Sequence, residues 1–260
     1  MINNIIKKIA KEKTGKELPI INASLGERKE YLAKQNAKRV AQDVQKIQRE
    51  KADRYYINSV WPNNQPIIFS FKNWKIEKQK KSEQARNVAR QAYALTMELE
   101  KKYFNIILTG PVGTGKTALA VAMIEFLKNR NKTVMFVSTN EMARMFVSMY
   151  DPIDGREVKR RLKLLVKAMS TVDILVLDDF GTEGGMRGSI RSVRKDMQDS
   201  IYDIANARYE NQKATIITTN NTLGELQSMY SSKILSRLIP TSHNHNIDFS
   251  ELDDVRASVL

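Results

Sequence analysis

The chain has 260 residues, 42% of them apolar and 28% charged, which suits one large domain or a core domain with a smaller appendage and excludes a disordered tail or a mini-protein. It has no cysteine and only two histidines, His243 and His245, so a disulfide framework, thiol catalysis and a Cys/His zinc cluster are excluded. Its 43 basic and 29 acidic side chains give a net charge of +14, unevenly placed: residues 1–105 hold 23 basic and 11 acidic groups, net +12, leaving +2 for the remainder. Such a basic first part points to a polyanion or an acidic protein surface as its partner. No apolar run reaches the roughly 18 residues of a membrane span, and residues 1–13 alternate Ile with Lys where a signal core would be continuous. A cytoplasmic protein with no membrane contact is expected.

In chain order, Ile2, Ile5, Ile6 and Ile9 predict a short first helix that Thr14 and Gly15 terminate. Leu32, Val40, Val44 and Ile47 stripe a second helix from about Arg28 to Tyr56. Both stripes are too narrow for a core of their own, so residues 1–60 are expected to form a basic helical region that packs on a partner. Residues 61–66, WPNNQP, read as a linker, and Ile67–Phe71 as a short strand or packed connector. Ser82 stands where an N-cap would open a helix running to about Lys102. From Asn105 the pattern changes to apolar runs separated by helical segments: FNIILTG, KTVMFVS at Lys132–Ser138, DILVLDD at Asp173–Asp179 and ATIITTN at Ala214–Asn220, with a weaker run at Asn246–Phe249. That pattern predicts an α/β domain over 67–260, a five-stranded parallel sheet with helices on both faces.

Between the first run and its helix lies GPVGTGKT, in which Gly110, Pro111, Val112, Gly113, Thr114, Gly115, Lys116 and Thr117 satisfy the phosphate-loop pattern and Ala118 continues the helix. Backbone N–H groups there would converge on phosphates, Lys116 would sit at the β and γ phosphates, and the Thr117 hydroxyl would ligate Mg²⁺. ILVLDDFG ends a buried run in two carboxylates, Asp178 placed for the Mg²⁺ shell and Asp179 for polarising an attacking water. Asn220, closing TTN, offers an amide that could hold that water, while Thr222 and Glu225 form a capping box. Gly181, Gly184, Gly185 and Gly188 predict a mobile loop, and Arg187, Arg191, Arg194 and Lys195 recur at roughly helical spacing beside it. That basic face suits a nucleic-acid backbone, yet Asp196 and Asp199 suit a salt-bridged solvated face equally well. Val193, Met197, Ile201 and Ile204 would face the core, and His243 and His245 read as loop residues. Arg237 and Arg256 are not distinguished by their own surroundings.

In order, GPVGTGKT, ILVLDDFG, TTN, SRL and the terminal DDVR resemble the AAA+ ATPases of the bacterial helicase-loader family, DnaC- and DnaI-like, and the related IstB transposition ATPases. FSFKNW, Phe69–Trp74, resembles the segment ahead of their ATPase core. The resemblance covers about residues 67–260 and implies a P-loop fold binding ATP and Mg²⁺. It makes Lys116 and Thr117 Walker A residues, Asp178 and Asp179 Walker B, Asn220 sensor 1, Arg237 an arginine finger and Arg256 sensor 2. It also implies a replicative hexameric helicase held by the N-terminal helices, single-stranded DNA at the core, and ATP-dependent homo-oligomers in an open ring or spiral. An IstB-like ATPase that directs a transposase or recombinase is the alternative. The chain departs from the family in lacking the cysteines of the zinc-binding N-terminal domain of some loaders. Its short stretch after the fifth strand leaves a C-terminal lid minimal or absent, which puts the place of Arg256 in doubt.

Overall fold

The computed structural model describes residues 24–185 and 189–255; the helix expected over Ile2–Ile9, Arg187 and Arg256 lie outside them. The chain divides into two compact units, Met1–Glu50 and Lys51–Leu260. The division falls within α1 (Leu25–Ile57), which matches the helix expected from Arg28 to Tyr56. In the first unit Leu25, Leu32, Val40, Val44 and Ile47 are all exposed. Ser24 opens the helix, accepting from Glu27 N while Glu27 Oε2 accepts from Ser24 N.

The second unit holds five parallel strands: β1 (Ile106–Thr109), β2 (Val134–Ser138), β3 (Ile174–Asp178), β4 (Ala214–Thr219) and β5 (Asn246–Asp248), in the spatial order β2-β3-β4-β1-β5. Strand side chains alternate in direction, so each apolar run feeds both faces. Ile106, Leu108, Val134, Phe136, Ile174, Val176 and Ile216 pack under α2 (Ser82–Leu99) and α3 (Lys116–Lys128). Ile107, Met135, Val137, Leu175, Leu177 and Ile217 meet the opposite layer. That layer comprises α4 (Thr139–Ser148), α5 (Gly155–Thr171), α6 (Lys195–Glu210), α7 (Leu223–Met229) and α8 (Ser232–Leu238). With about 1.5–3 kcal/mol for each large apolar side chain buried, the two layers fix the strand ends that carry the chemistry. Among the described residues no helix follows β5.

Two details differ from the expectations, and a third settles between two alternatives. Ser82 is the first residue of α2, with Lys81 at the N-cap position and no side-chain cap. Ile67–Phe71 forms no strand; Ile67, Phe69 and Phe71 pack as a connector against the α2–α3 layer. The 61–66 segment belongs to the second unit: Trp61 is buried and stacked on Phe136 at 4.3 Å, and Val60 bonds the edge of β2 through Val60 N→Phe136 O and Ser138 N→Val60 O, both 2.8 Å. The prolines and asparagines do make a turn there, but the indole's large apolar surface binds it to the sheet.

Arg208 fastens α6 beneath the starts of β3 and β4. It is fully buried and donates to Thr215 Oγ1 (3.0 Å), to the carbonyls of Met169 (2.6 Å) and Val172 (3.0 Å), and to Ala214 O. Burial pulls its guanidinium down to about 9, so it remains charged at neutral pH. Arg208→Met should cost about 3–5 kcal/mol in urea unfolding, because it takes from the buried carbonyls of Met169 and Val172 the guanidinium that donates to them.

Candidate active site

Because β1, β4 and β3 are adjacent and parallel, the loops that follow them share one edge of the sheet, where open α/β sheets bind ligands. The loop after β1 leads into α3, whose first helical residue is Lys116. The first N–H groups of a helix have no intrahelical partner, so those of Lys116, Thr117 and Ala118 are donors for an anion. Lys116 Nζ reaches back over the loop, donating to Gly110 O at 2.7 Å and Pro111 O at 2.5 Å, and the Thr114 hydroxyl donates to Pro111 O at 2.9 Å. Two glycines make this turn possible. At Gly115 (φ +99°) a Cβ would come within 2.8 Å of the Trp74 ring, and at Gly113 (φ +80°) within 1.9 Å of the Asp254 carboxylate. Val255 N also donates to Gly113 O at 3.2 Å, so the segment after β5 crosses the loop. Val112 lies exposed on the loop's outer side.

The two acids stand opposite, arranged by one hydroxyl. Thr218 Oγ1 donates to Asp178 Oδ1 at 2.7 Å and accepts from Asp179 N at 2.9 Å. Burial, and then the charge of Asp179, push Asp178 up to about 6, against the pull of the Thr218 and Thr117 hydroxyls and of Lys116. Asp179 adopts a left-handed backbone (φ 54°), and Asn220 Nδ2 faces its Oδ1 at 3.5 Å, the outer limit of a hydrogen bond. Hence the structure groups Lys116, Thr117, Asp178, Asp179 and Asn220 at one edge. The oxygen-only donors of Thr117 and Asp178, the latter a carboxylate whose charge is poorly solvated, fit a hard divalent cation. Thr117 and Asp178 would hold Mg²⁺, which when bound supplies neutralisation of phosphate charge.

Of the remaining expected residues, those that the structure describes lie elsewhere. Arg237 packs on α6, with Nε on Asn206 Oδ1 at 2.9 Å and its guanidinium 5.3 Å from the Tyr202 ring centre. None of these contacts belongs to the phosphate loop. Among the described residues Arg191, Arg194 and Lys195 share no helical face: α6 starts at Lys195, Arg191 and Arg194 precede it, and Arg194 is paired to Asp196 at 2.7 Å over Tyr150. The apolar stripe Val193, Met197, Ile201 and Ile204 is buried as expected, and the Thr222–Glu225 capping box opens α7. The contacts of four further residues with the site escaped sequence reasoning, although Trp74 and Asp254 lie within FSFKNW and DDVR. Trp74 and Asp254 touch the loop from distant positions. Thr139, directly after β2, donates from its single hydroxyl toward Asp178 O, Asp179 O and Glu183 Oε2, each at 3.0 Å. Burial pushes Glu183 up to about 7, opposed by the Thr139 and Gly181 hydrogen bonds. A cavity of about 900 Å³ adjoins the loop, bounded by Gly110, Val112, Asn220, Leu223 and Asp248; it reaches neither Lys116 nor Thr117.

A family profile described as IstB-like ATP binding protein matches residues 47–251. The chain belongs to that family. This IstB-like chain is 28% identical over 150 residues to a putative ATP-binding protein of an insertion sequence from Mycobacterium tuberculosis, covering 55% of the chain and 53% of the relative. It is 26% identical over 169 residues to the replicative helicase loader DnaC of Escherichia coli, covering 65% of the chain and 62% of the relative. The matches thus span between half and two thirds of these relatives. Among solved structures, DnaI superposes with a TM-score of 0.53 at 20% identity over 71% of this chain and 91% of that one. DnaA of Aquifex aeolicus bound to AMPPCP gives 0.54 at 19% identity over 74% and 53%. These superpositions show the P-loop AAA+ fold.

Two outcomes follow for the IstB-like site. The raised pKa of Asp178 gives a stability contribution that is full below about pH 4 and lost as pH rises through 6. Asp178→Asn should therefore stabilise the nucleotide-free protein by about 1–3 kcal/mol at pH 8, with the gain shrinking by pH 5, as read by denaturant melts at the two pH values. Gly113→Ala should lose nucleotide binding, because the loop must open against Asp254; equilibrium titration with a fluorescent ATP analogue checks it.

Proposed function

We propose that this IstB-like chain hydrolyses ATP, and uses the cycle to load a replicative hexameric helicase onto single-stranded DNA. The observation that carries the ATPase reading is the pair Asp178–Asp179, set by Thr218 across the edge from Lys116. In that reading the loop amides and Lys116 hold the triphosphate, and Asn220 and Asp179 orient a water. The water oxygen bonds to the γ-phosphorus, the bond to the β–γ bridging oxygen breaks, and Asp179 takes the water's proton on its way to solvent. ADP and phosphate result. Arg237, directed away from its own loop, is assigned to a neighbouring subunit's nucleotide in an ATP-dependent open ring, and Arg256 to sensor 2.

The partner reading draws support from charge outside the core. α1 carries nine basic and five acidic side chains beside its exposed apolar stripe, which suits a protein partner with an apolar groove and acidic rim. For single-stranded DNA, the Arg187–Lys195 stretch is weakened by the Arg194–Asp196 pair. α5 offers more: Arg156, Lys159, Arg161, Lys163 and Lys167 are exposed, with Leu164 among them. The family description and the Mycobacterium relative favour the second reading, an ATPase that directs a transposase on DNA.

Lys116→Ala should abolish ATP binding, whereas Asp179→Asn should bind ATP normally and turn it over at least about 100-fold more slowly. Isothermal titration and phosphate release measure the two, and normal turnover by Asp179→Asn would sink the assignment. Capture of the host helicase by the full chain, lost in Val40→Glu/Val44→Glu, supports the loader. Tight duplex binding with a steep salt dependence, and no helicase capture, favours the transposition reading.

A further inference from the structure

We propose that Glu183, braced on Thr139, is a positioning residue for Asp179 in ATP hydrolysis; this rests on the reading of Asp179 as the group that handles the attacking water. Asp179 is not a glycine, yet it occupies the left-handed region at φ 54°, a conformation that costs free energy and persists only where neighbours enforce it. On the β4 side they are plain: Asp179 N donates to the Thr218 hydroxyl and Phe180 N to Thr218 O, both at 2.9 Å. The opposite side has no strand ladder to do the same, because β2 has already ended at Ser138.

There Glu183 supplies the hold. Its Oε2 accepts from Gly181 N at 3.2 Å, two residues beyond Asp179, and from the Thr139 hydroxyl at 3.0 Å. Thr139 also stands 3.0 Å from the carbonyls of Asp178 and Asp179, but a hydroxyl has one hydrogen to give. One carboxylate oxygen therefore joins the turn that carries Asp179 to the residue directly following β2. The other oxygen, Oε1, is buried with no partner among the described residues. A half-satisfied buried carboxylate is a poor way to fill space and a strong way to hold an N–H and an O–H. Glu183 makes no hydrogen bond to the Asp179 side chain, so its influence runs through the backbone of the turn.

The test uses the full chain and four variants: Glu183→Ala, Glu183→Gln, Thr139→Val and the double Glu183→Ala/Thr139→Val. Steady-state phosphate release, equilibrium ATP binding and amide hydrogen exchange at Gly181 are read for each. Glu183→Ala should lower kcat about 10- to 100-fold, the scale on which small misplacements act. Its ATP affinity should stay within about twofold, and exchange at Gly181 should accelerate. Glu183→Gln, whose amide oxygen can accept the same two bonds, should recover most of kcat and of the protection, and the double variant should be no slower than Glu183→Ala. Unchanged kcat in Glu183→Ala, a loss in Glu183→Gln as large as in Glu183→Ala, or joint collapse of affinity and turnover would each overturn the role. A wild-type chain that binds ATP without turnover, while Gly181 exchange still responds to Glu183→Ala, would overturn the hydrolysis reading and reduce the brace to a structural one.

Discussion

Parallel pairing with level strand ends is the constraint from which the chemistry of this chain follows. β1 pairs β4 with Thr109 opposite Thr219, and β3 pairs β4 with Leu177 opposite Ile217. The chain therefore leaves the sheet at Gly110, Asp179 and Asn220 within one rim. A shift of one residue in either pairing would turn every side chain to the other face, placing Ile107 and Ile217 where Ile106 and Ile216 belong. Two packed layers forbid that shift, since each strand is apolar on both sides and each side already has its helices. Core packing and site geometry are one requirement here.

The same rim concentrates charge that the fold tolerates poorly. Asp178 is pushed up to about 6 and Glu183 up to about 7, in both cases first by burial and with Asp179 adding its repulsion. Lys116 offsets part of this, but its ammonium also serves two loop carbonyls. Such a site is less stable than an apolar one of the same volume, and the difference is reserved for a ligand that brings positive charge to the acids and negative charge to the loop. Arg208, buried with carbonyl partners at the other end of β3 and β4, contributes the opposite character: a fully hydrogen-bonded cation that anchors the strands as structure.

What could be read from the residues divides along a physical line. Features written in consecutive residues were legible: the loop from Gly110 to Thr117, the Asp178–Asp179 pair at a strand end, the capping box at Thr222, and the five strands. Features made by chain segments meeting across the fold were not. Trp74 and Asp254 approach the phosphate loop from far along the chain, and Glu183 folds back onto Gly181 and across to Thr139. No periodicity encodes any of these. Spacing also misled where it was taken alone. Arg191 and Arg194 recur at helical intervals, but Arg194 stands at the N-cap position paired to Asp196, and the helix begins only at Lys195. The prolines and asparagines around Trp61 encode a turn, but the apolar surface of Trp61 decides where that turn lies.

The ATP-binding core is shared by relatives of different calling, a helicase loader and an insertion-sequence protein, at nearly equal identity. A phosphate loop and two acids respond to nucleotide in the same way whichever assembly the cycle drives, so the core geometry has no means of choosing between them. The choice has to lie in surfaces that the core does not need for its own stability. The part of α1 in the first unit is one such surface, with the apolar stripe Leu32, Val40, Val44 and Ile47 exposed. The cationic face of α5 is another: its buried residues Leu162, Leu165 and Met169 hold the helix down, while its arginines and lysines bind nothing in the core and face outward. On either proposed reading, discrimination between partners would rest on these two charged surfaces, with the ATP-binding core common to both.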